Sequence, residues 1–172
     1  MAFRKIVVLG GARSGKSRFA EGLAVECGEP VLYVATATVT DVEMAERIAR
    51  HRAERPAAWR TLEVSTDLAE RLASPDYSGV LTVVVEDLTL LLSNLMLSGP
   101  DGAEARAIAQ AEAVLALEAH VILVSNEVGM GLVPASPLGR RFRDALGRVN
   151  QATAAACGEV YLLVAGLPLR LK

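Results

Sequence analysis

The chain has 172 residues, 52 % hydrophobic but only 4 % aromatic, and a formal net charge of −2 with a pI near 5.7. That length suits one domain, residues 1–172, with a substantial aliphatic core, and the charge balance leaves no footprint for nucleic-acid or membrane-surface binding as a main role. No apolar stretch reaches the ~18 residues of a membrane span, the first apolar run is too short for a secretory signal, and Cys27 and Cys157 lack metal-ligand spacing, so the expectation is a soluble cytoplasmic protein with two reduced thiols.

The first predicted strand, residues 5–9, runs into Gly10-Gly11-Ala12-Arg13-Ser14-Gly15-Lys16-Ser17. This fits G-x-x-x-x-G-K-[ST] between a buried strand and a helix, the setting in which the motif cradles phosphates. Its glycines let backbone N–H groups turn toward a phosphate, and the helix adds its N-terminal partial positive charge. Lys16 is placed to reach the β- and γ-phosphates and the Ser17 hydroxyl to ligate Mg²⁺. A helix over 16–27 and a strand over 31–35 follow. A second helix is predicted over 42–54, with Asp41 as its N-cap and Pro56 as its stop. It carries His51 among Arg47, Arg50, Arg52 and Arg55. Nearby cations disfavour imidazolium, and a neutral imidazole is the form that attacks phosphorus; a surface histidine is the plainer alternative, and composition leaves both open.

Further strands are predicted over 61–64, 80–85, 121–125 and 160–164, with an edge strand over 167–171. Helices are predicted over 67–73, 88–97, 103–119 and 138–156, with a loop at 98–102. Strands alternating with helices imply parallel βαβ units, hence an α/β P-loop NTPase (RecA-like) fold, a mostly parallel sheet flanked by helices with its site at the carboxyl ends of the strands. The strand Val83-Val84-Val85 ends in Glu86-Asp87, where a P-loop enzyme needs a carboxylate for its metal. Glu86 is the favoured ligand, and Asp87 suits a helix cap. Glu127 follows the next strand and could orient a metal or act as base, or be a solvated loop acid. Arg141 and Asp144 are close enough to pair on the last helix. His120 is expected at a strand end.

Taken together, Gly10–Ser17, Val34-Ala35-Thr36, His51–Pro56 with Trp59, Asn126-Glu127-Val128-Gly129-Met130-Gly131-Leu132-Val133-Pro134, and Phe142-Arg143-Asp144 through Gly147, Asn150 and Gln151 resemble the bifunctional adenosylcobinamide kinase/adenosylcobinamide-phosphate guanylyltransferase family of cobalamin biosynthesis. The resemblance implies two reactions. The aminopropanol hydroxyl of adenosylcobinamide takes the γ-phosphate of ATP or GTP; the resulting adenosylcobinamide phosphate then receives GMP from GTP, releasing pyrophosphate. It also implies a guanylylated histidine, matched here by His51, and nucleotide contacts from Val34, Ala35, Thr36, Arg52, Ala53, Glu54, Arg55, Glu63 and Glu86, in a homotrimer. A carboxylate suits guanine, whose N1–H and 2-amino group are paired donors. One nucleotide site serving both steps, with the second helix carrying His51 to the α-phosphate, is the expectation. Asp87 and Leu91 stand where relatives often carry cysteine and tryptophan, so packing or corrinoid contacts near Leu91 are expected to differ. Arg50 stands where some relatives have a second histidine. The alternatives are a P-loop kinase without a covalent intermediate, which leaves His51 without a role, and a GTP-dependent switch, for which no Asn-Lys-x-Asp motif is present.

Overall fold

A computed structural model describes residues 2–38, 46, 49, 52, 55–99 and 101–172. The elements among them run β1 (Lys5–Gly10), α1 (Lys16–Cys27), β2 (Val31–Ala35), β3 (Arg60–Glu63), α2 (Leu68–Leu72), a 3₁₀ turn (Pro75–Tyr77), β4 (Thr82–Glu86), α3 (Leu88–Ser98), α4 (Ala103–Leu115), β5 (His120–Asn126), α5 (Pro137–Ala156), β6 (Glu159–Val164) and β7 (Leu167–Arg170). Of the predicted helix over 42–54, only Glu46, Ala49 and Arg52 are described, each in helical conformation; its other residues and the cap Asp41 lie outside the described residues.

The strands form one sheet in the order β3-β2-β4-β5-β1-β6-β7. Every neighbouring pair is parallel except β6 with β7. Successive side chains of a strand point to opposite faces, so a strand buried on both sides reads as a continuous apolar run. Ile6, Val8, Tyr33, Val84, Ile122 and Val124 pack with Ala20, Leu23 and Ala24 of α1. Val7, Leu9, Val83, Val85 and Leu123 face the other way, onto leucines of α3, the alanine stripe of α4 and Leu146 and Val149 of α5. The mostly parallel α/β sheet expected from the sequence is the one observed.

Local chemistry sets the helix starts. Asp87 caps α3 by accepting from Leu90 N at 2.7 Å. Ser136 caps α5 through Gly139 N, with Pro137 in its first turn. α1 differs: it starts at Gly15 in the left-handed region (φ 95°) with no side-chain cap.

Two boundaries depart from the sequence expectation by two residues or more. α4 stops at Leu115 rather than 119, because Leu117 N turns back to Val114 O and Lys5 Nζ takes the carbonyls of Leu117 and Ala119. β4 begins at Thr82 rather than 80, since Leu81 N and Thr82 N both reach Pro30 O. The expected Arg141–Asp144 pair is replaced by Arg143–Asp144 at 3.2 Å. His120 sits at the start of β5, far from the carboxyl edge, its Nδ1 accepting from Arg4 N at 3.0 Å.

At the amino edge Arg4 closes a two-pronged pair on Glu159, at 2.7 and 2.9 Å, tying the chain before β1 to β6. The guanidinium holds the Glu159 carboxyl down at about 2, with the Tyr161 hydroxyl adding a donor, against an ordinary 4.5. A folded value below the unfolded one means the stabilisation is complete above pH 4.5 and is lost as pH falls through 2. Glu159→Gln should therefore be less stable than wild type at pH 7, with the gap closing in acid, as denaturant titrations across pH will read. Leu123→Ala, at a fully buried position in the middle of the sheet, should lose about 2–5 kcal/mol, seen as a lower urea midpoint at unchanged slope.

Candidate active site

The first turn after β1 is shaped by close contacts. A Cβ on Gly10 would lie 2.6 Å from Ser14 Oγ and 2.7 Å from the Leu163 carbonyl oxygen, so only glycine fits. Glu127 N donates to Gly10 O at 2.9 Å and Gly166 N to Ser14 O at 3.0 Å. The loop after β5 and the β6–β7 turn thus brace the phosphate loop from either side. Gly11, Ala12, Arg13 and Gly15 are exposed, while Ser14 and Lys16 are buried. Arg13 also adopts a positive φ of 55°. Lys16 Nζ lies across the loop, donating to Gly11 O at 2.7 Å.

β5 lies between β1 and β4, so the loop strand and the acid-bearing strand stand two spacings, about 10 Å, apart. Val84 faces α1, and Glu86, two residues on, takes the same face. There Ser17 Oγ of α1 donates to Glu86 Oε1. Glu86 Oε2 is buried with no hydrogen-bond partner. Burial pushes the Glu86 carboxyl up, and the Ser17 hydroxyl, the Tyr33 hydroxyl and the Lys16 charge pull it back.

Asp87 faces the opposite way and is engaged by the fold. Besides capping α3 it accepts from Asn126 Nδ2 at 3.2 Å, and burial raises its carboxyl to about 6. Asn126 also meets the Thr89 hydroxyl, and Asn150 Nδ2 of α5 holds Asn126 O at 3.1 Å. These contacts give the two asparagines a role that their sequence positions did not reveal. Thr36 links β2 to β4: its hydroxyl donates to Asp87 O at 2.8 Å and accepts from Asp87 N at 2.7 Å. Asn94 Nδ2 takes its carbonyl at 2.9 Å. Val34 is wholly buried and Ala35 nearly so, so Val34, Ala35 and Thr36 build the floor of this edge.

Arg55 places its guanidinium carbon 3.6 Å from the Tyr33 ring centroid and reaches the Thr61 hydroxyl at 3.4 Å. Arg52 meets Glu63 at 3.4 Å, both well exposed, a contact of small energetic weight. His51, Ala53 and Glu54 lie outside the described residues. Glu127 turns its carboxylate into its own loop, accepting from Gly129 N at 2.6 Å. Tyr33 escaped the sequence reading, although a lone tyrosine in the aliphatic run Val31–Ala35 was a signal; for Gly166 there was none, because its contact with Ser14 spans the whole chain.

Residues 6–171 match the sequence profile of the cobinamide kinase / cobinamide phosphate guanyltransferase family. The chain belongs to that family. Among curated members it is 49 % identical over 167 residues, 96 % of both chains, to the bifunctional adenosylcobalamin biosynthesis protein CobP of Pseudomonas aeruginosa. It is 44 % identical to the Escherichia coli protein CobU of the same description, covering 97 % of this chain and 99 % of that one. Among solved structures, a protein of Pyrococcus horikoshii superposes with a TM-score of 0.58 at 10 % identity, over all of this chain and 88 % of that one, a likeness of fold. Leu91 is fully buried and packs in the core cluster on this face of the sheet.

Gly10→Ala should push the phosphate loop off the Leu163 carbonyl. Nucleotide affinity is expected to fall at least tenfold with a loss of about 1–3 kcal/mol in stability, measured by nucleotide titration and by denaturation of the same sample.

Proposed function

We propose that this chain carries out both transfers of its family on adenosylcobinamide. The aminopropanol hydroxyl attacks the γ-phosphorus of ATP or GTP, the bond to the bridging oxygen breaks, and the nucleoside diphosphate leaves as the hydroxyl gives up its proton. A nitrogen of neutral His51 then attacks the α-phosphorus of GTP and expels pyrophosphate. An oxygen of adenosylcobinamide phosphate displaces the histidine, giving adenosylcobinamide-GDP. The observation that carries the reading is the joining of the phosphate loop to Glu86 through Ser17, in a chain that matches the family from residue 6 to residue 171.

The chain's own groups divide the work. Backbone N–H groups of 10–17 and the uncapped N-terminus of α1 receive phosphate oxygens, and Lys16 shifts from Gly11 O to the β- and γ-phosphates. The donors Ser17 Oγ and Glu86, with Oε2 lacking any protein partner, are hard oxygens that suit Mg²⁺. No group of three or more His, Cys, Asp or Glu that could hold a metal occurs among the described residues. Mg²⁺ characteristically uses one or two protein oxygens and takes its remaining ligands from phosphates and water. When bound it neutralises charge on the phosphate oxygens. Arg52 and Arg55 supply cations for the α-phosphate and the departing pyrophosphate. Since Glu86 is turned to Ser17, Glu63, exposed at the end of β3, is the carboxylate assigned to the guanine edge. Val34, Ala35 and Thr36 shape the floor under the nucleotide, and Ala53 and Glu54 complete the segment beside His51.

The reading takes residues 1–172 as one transferase domain, supported by the single sheet that reaches from Lys5 to Arg170. It places the enzyme in the cytoplasm, in keeping with the lack, among the described residues, of any helix long and apolar enough to cross a membrane. It further takes the enzyme as a homotrimer. The exposed Leu167, Leu169 and Leu171 along and just beyond edge strand β7 support self-association.

GTP labelled at the α- or the γ-phosphate tests the mechanism. Incubated with Mg²⁺, the protein should retain acid-labile, alkali-stable label from the α-position alone. His51→Ala should lose that label and guanylyl transfer while keeping much of the kinase step, and Lys16→Ala should weaken nucleotide binding and damage both. Label absent from wild type that still binds GTP, or guanylyl transfer surviving in His51→Ala, would overturn the covalent step.

A further inference from the structure

Among the described residues Tyr33 is the largest wholly enclosed side chain, 1 % exposed, and it borders both Arg55 and Glu86. On its face lies the Arg55 guanidinium, 3.6 Å from the centroid. Trp59 stacks with the same ring at 6.5 Å and 28°. On the neighbouring strand Tyr33 pairs with Val84 and Ala35 with Glu86, so Glu86 is the diagonal neighbour of Tyr33 on the α1 face. Arg55 and Glu86 do not pair with each other. Glu86 Oε1 is taken by Ser17, Glu86 Oε2 has no partner, and Arg55 Nε is buried without an acceptor. Two opposite charges brought to one dry edge ordinarily pair, because neither is left uncompensated that way.

We propose that Tyr33 is a positioning residue that keeps Arg55 and Glu86 apart as separate charges, the cation seated on its ring and the carboxylate left open for a divalent cation. The inference rests on the nucleotide site proposed above. The ring satisfies a guanidinium through its quadrupole without consuming a carboxylate. An Arg55–Glu86 pair would disable both groups: a carboxylate bound to guanidinium binds Mg²⁺ poorly, and a guanidinium bound to carboxylate has less to offer a phosphate.

The test is GTP binding to the full chain, titrated with and without Mg²⁺ and without corrinoid, so that it is independent of either transfer. Tyr33→Phe keeps the ring. It should bind GTP within about twofold of wild type in the absence of metal, with an apparent Mg²⁺ constant also within about twofold. Tyr33→Leu removes the ring and should weaken Mg²⁺-GTP binding about tenfold, the scale of a desolvated cation–π contact. The decisive arm is Tyr33→Leu with Arg55→Ala. Removing the displaced cation should restore part of the Mg²⁺ dependence that Tyr33→Leu lost, which a purely structural role cannot do. Additive losses in the double variant, or an Mg²⁺ constant raised about threefold or more in Tyr33→Phe, would overturn the proposal; the Phe variant alone decides if the Leu variant fails to fold. Wild type that binds no Mg²⁺-GTP would overturn the nucleotide site itself, whereas wild type that binds it but transfers nothing would leave this inference standing.

Discussion

The Ser17 hydroxyl meets the Glu86 carboxylate across a sheet in which β5 separates their strands. The contact joins the helix that follows the phosphate loop to the strand that ends in acid, and the rest of the carboxyl edge is arranged to keep it in place. Glu86 is half-buried on the α1 face, where desolvation disfavours its charge, and a carboxylate so placed persists as an anion only if donors and cations face it. Ser17, Tyr33 and Lys16 are those groups. Their convergence explains why a strand otherwise made of valine and threonine ends on an acid.

Around that contact the backbone is held at several independent points. Gly10 is pinned between the Leu163 carbonyl and the amide of Glu127, and Ser14 is tied to Gly166. The phosphate loop is thus gripped by β5 and by the β6–β7 turn, elements that follow it by more than a hundred residues. On the opposite face Thr36, Asp87, Asn126 and Asn150 form a continuous hydrogen-bonded chain through β2, β4, β5 and α5. Buried polar groups of this kind stay favourable only when they are satisfied; Thr36, Asp87 and Asn126 meet partners here, while Asn150 Oδ1 is left without one. Preorganised donors avoid reorganisation when charge develops on a transferring phosphoryl or nucleotidyl group.

The two faces of the sheet therefore have different work. The α1 face carries the groups proposed for the nucleotide site: Ser17 joined to Glu86, and Tyr33 with Arg55 on its ring. The other face carries leucine and alanine from four helices and the asparagine network beneath the edge. Adjacent acids are separated in the same way: Glu86 turns toward Ser17 while Asp87 closes the first turn of α3. A single residue of register exchanges those roles, since successive side chains alternate between faces.

Much of this was legible from sequence, because it is written locally. The glycines and Lys16-Ser17 follow a buried strand, apolar runs alternate with helical patterns, and Ser136-Pro137 and Asp87 start helices by contacts within one turn. The alternation along Val83-Val84-Val85-Glu86 also shows that Glu86 shares a face with Val84. Which face that is, and that α1 lies on it, depends on how the crossover connection winds over the sheet. The insertion of β5 between β1 and β4, the Gly166–Ser14 contact, the early end of α4 and the seat of Arg55 on Tyr33 join residues distant in the chain, and no local pattern encodes them. Propensity, motif and the parity of side chains act over a few residues and were settled by sequence alone. The pairing of charges, donors and rings at the carboxyl edge was decided only when the sheet brought its strands into order, because burial and distance are properties of that packing.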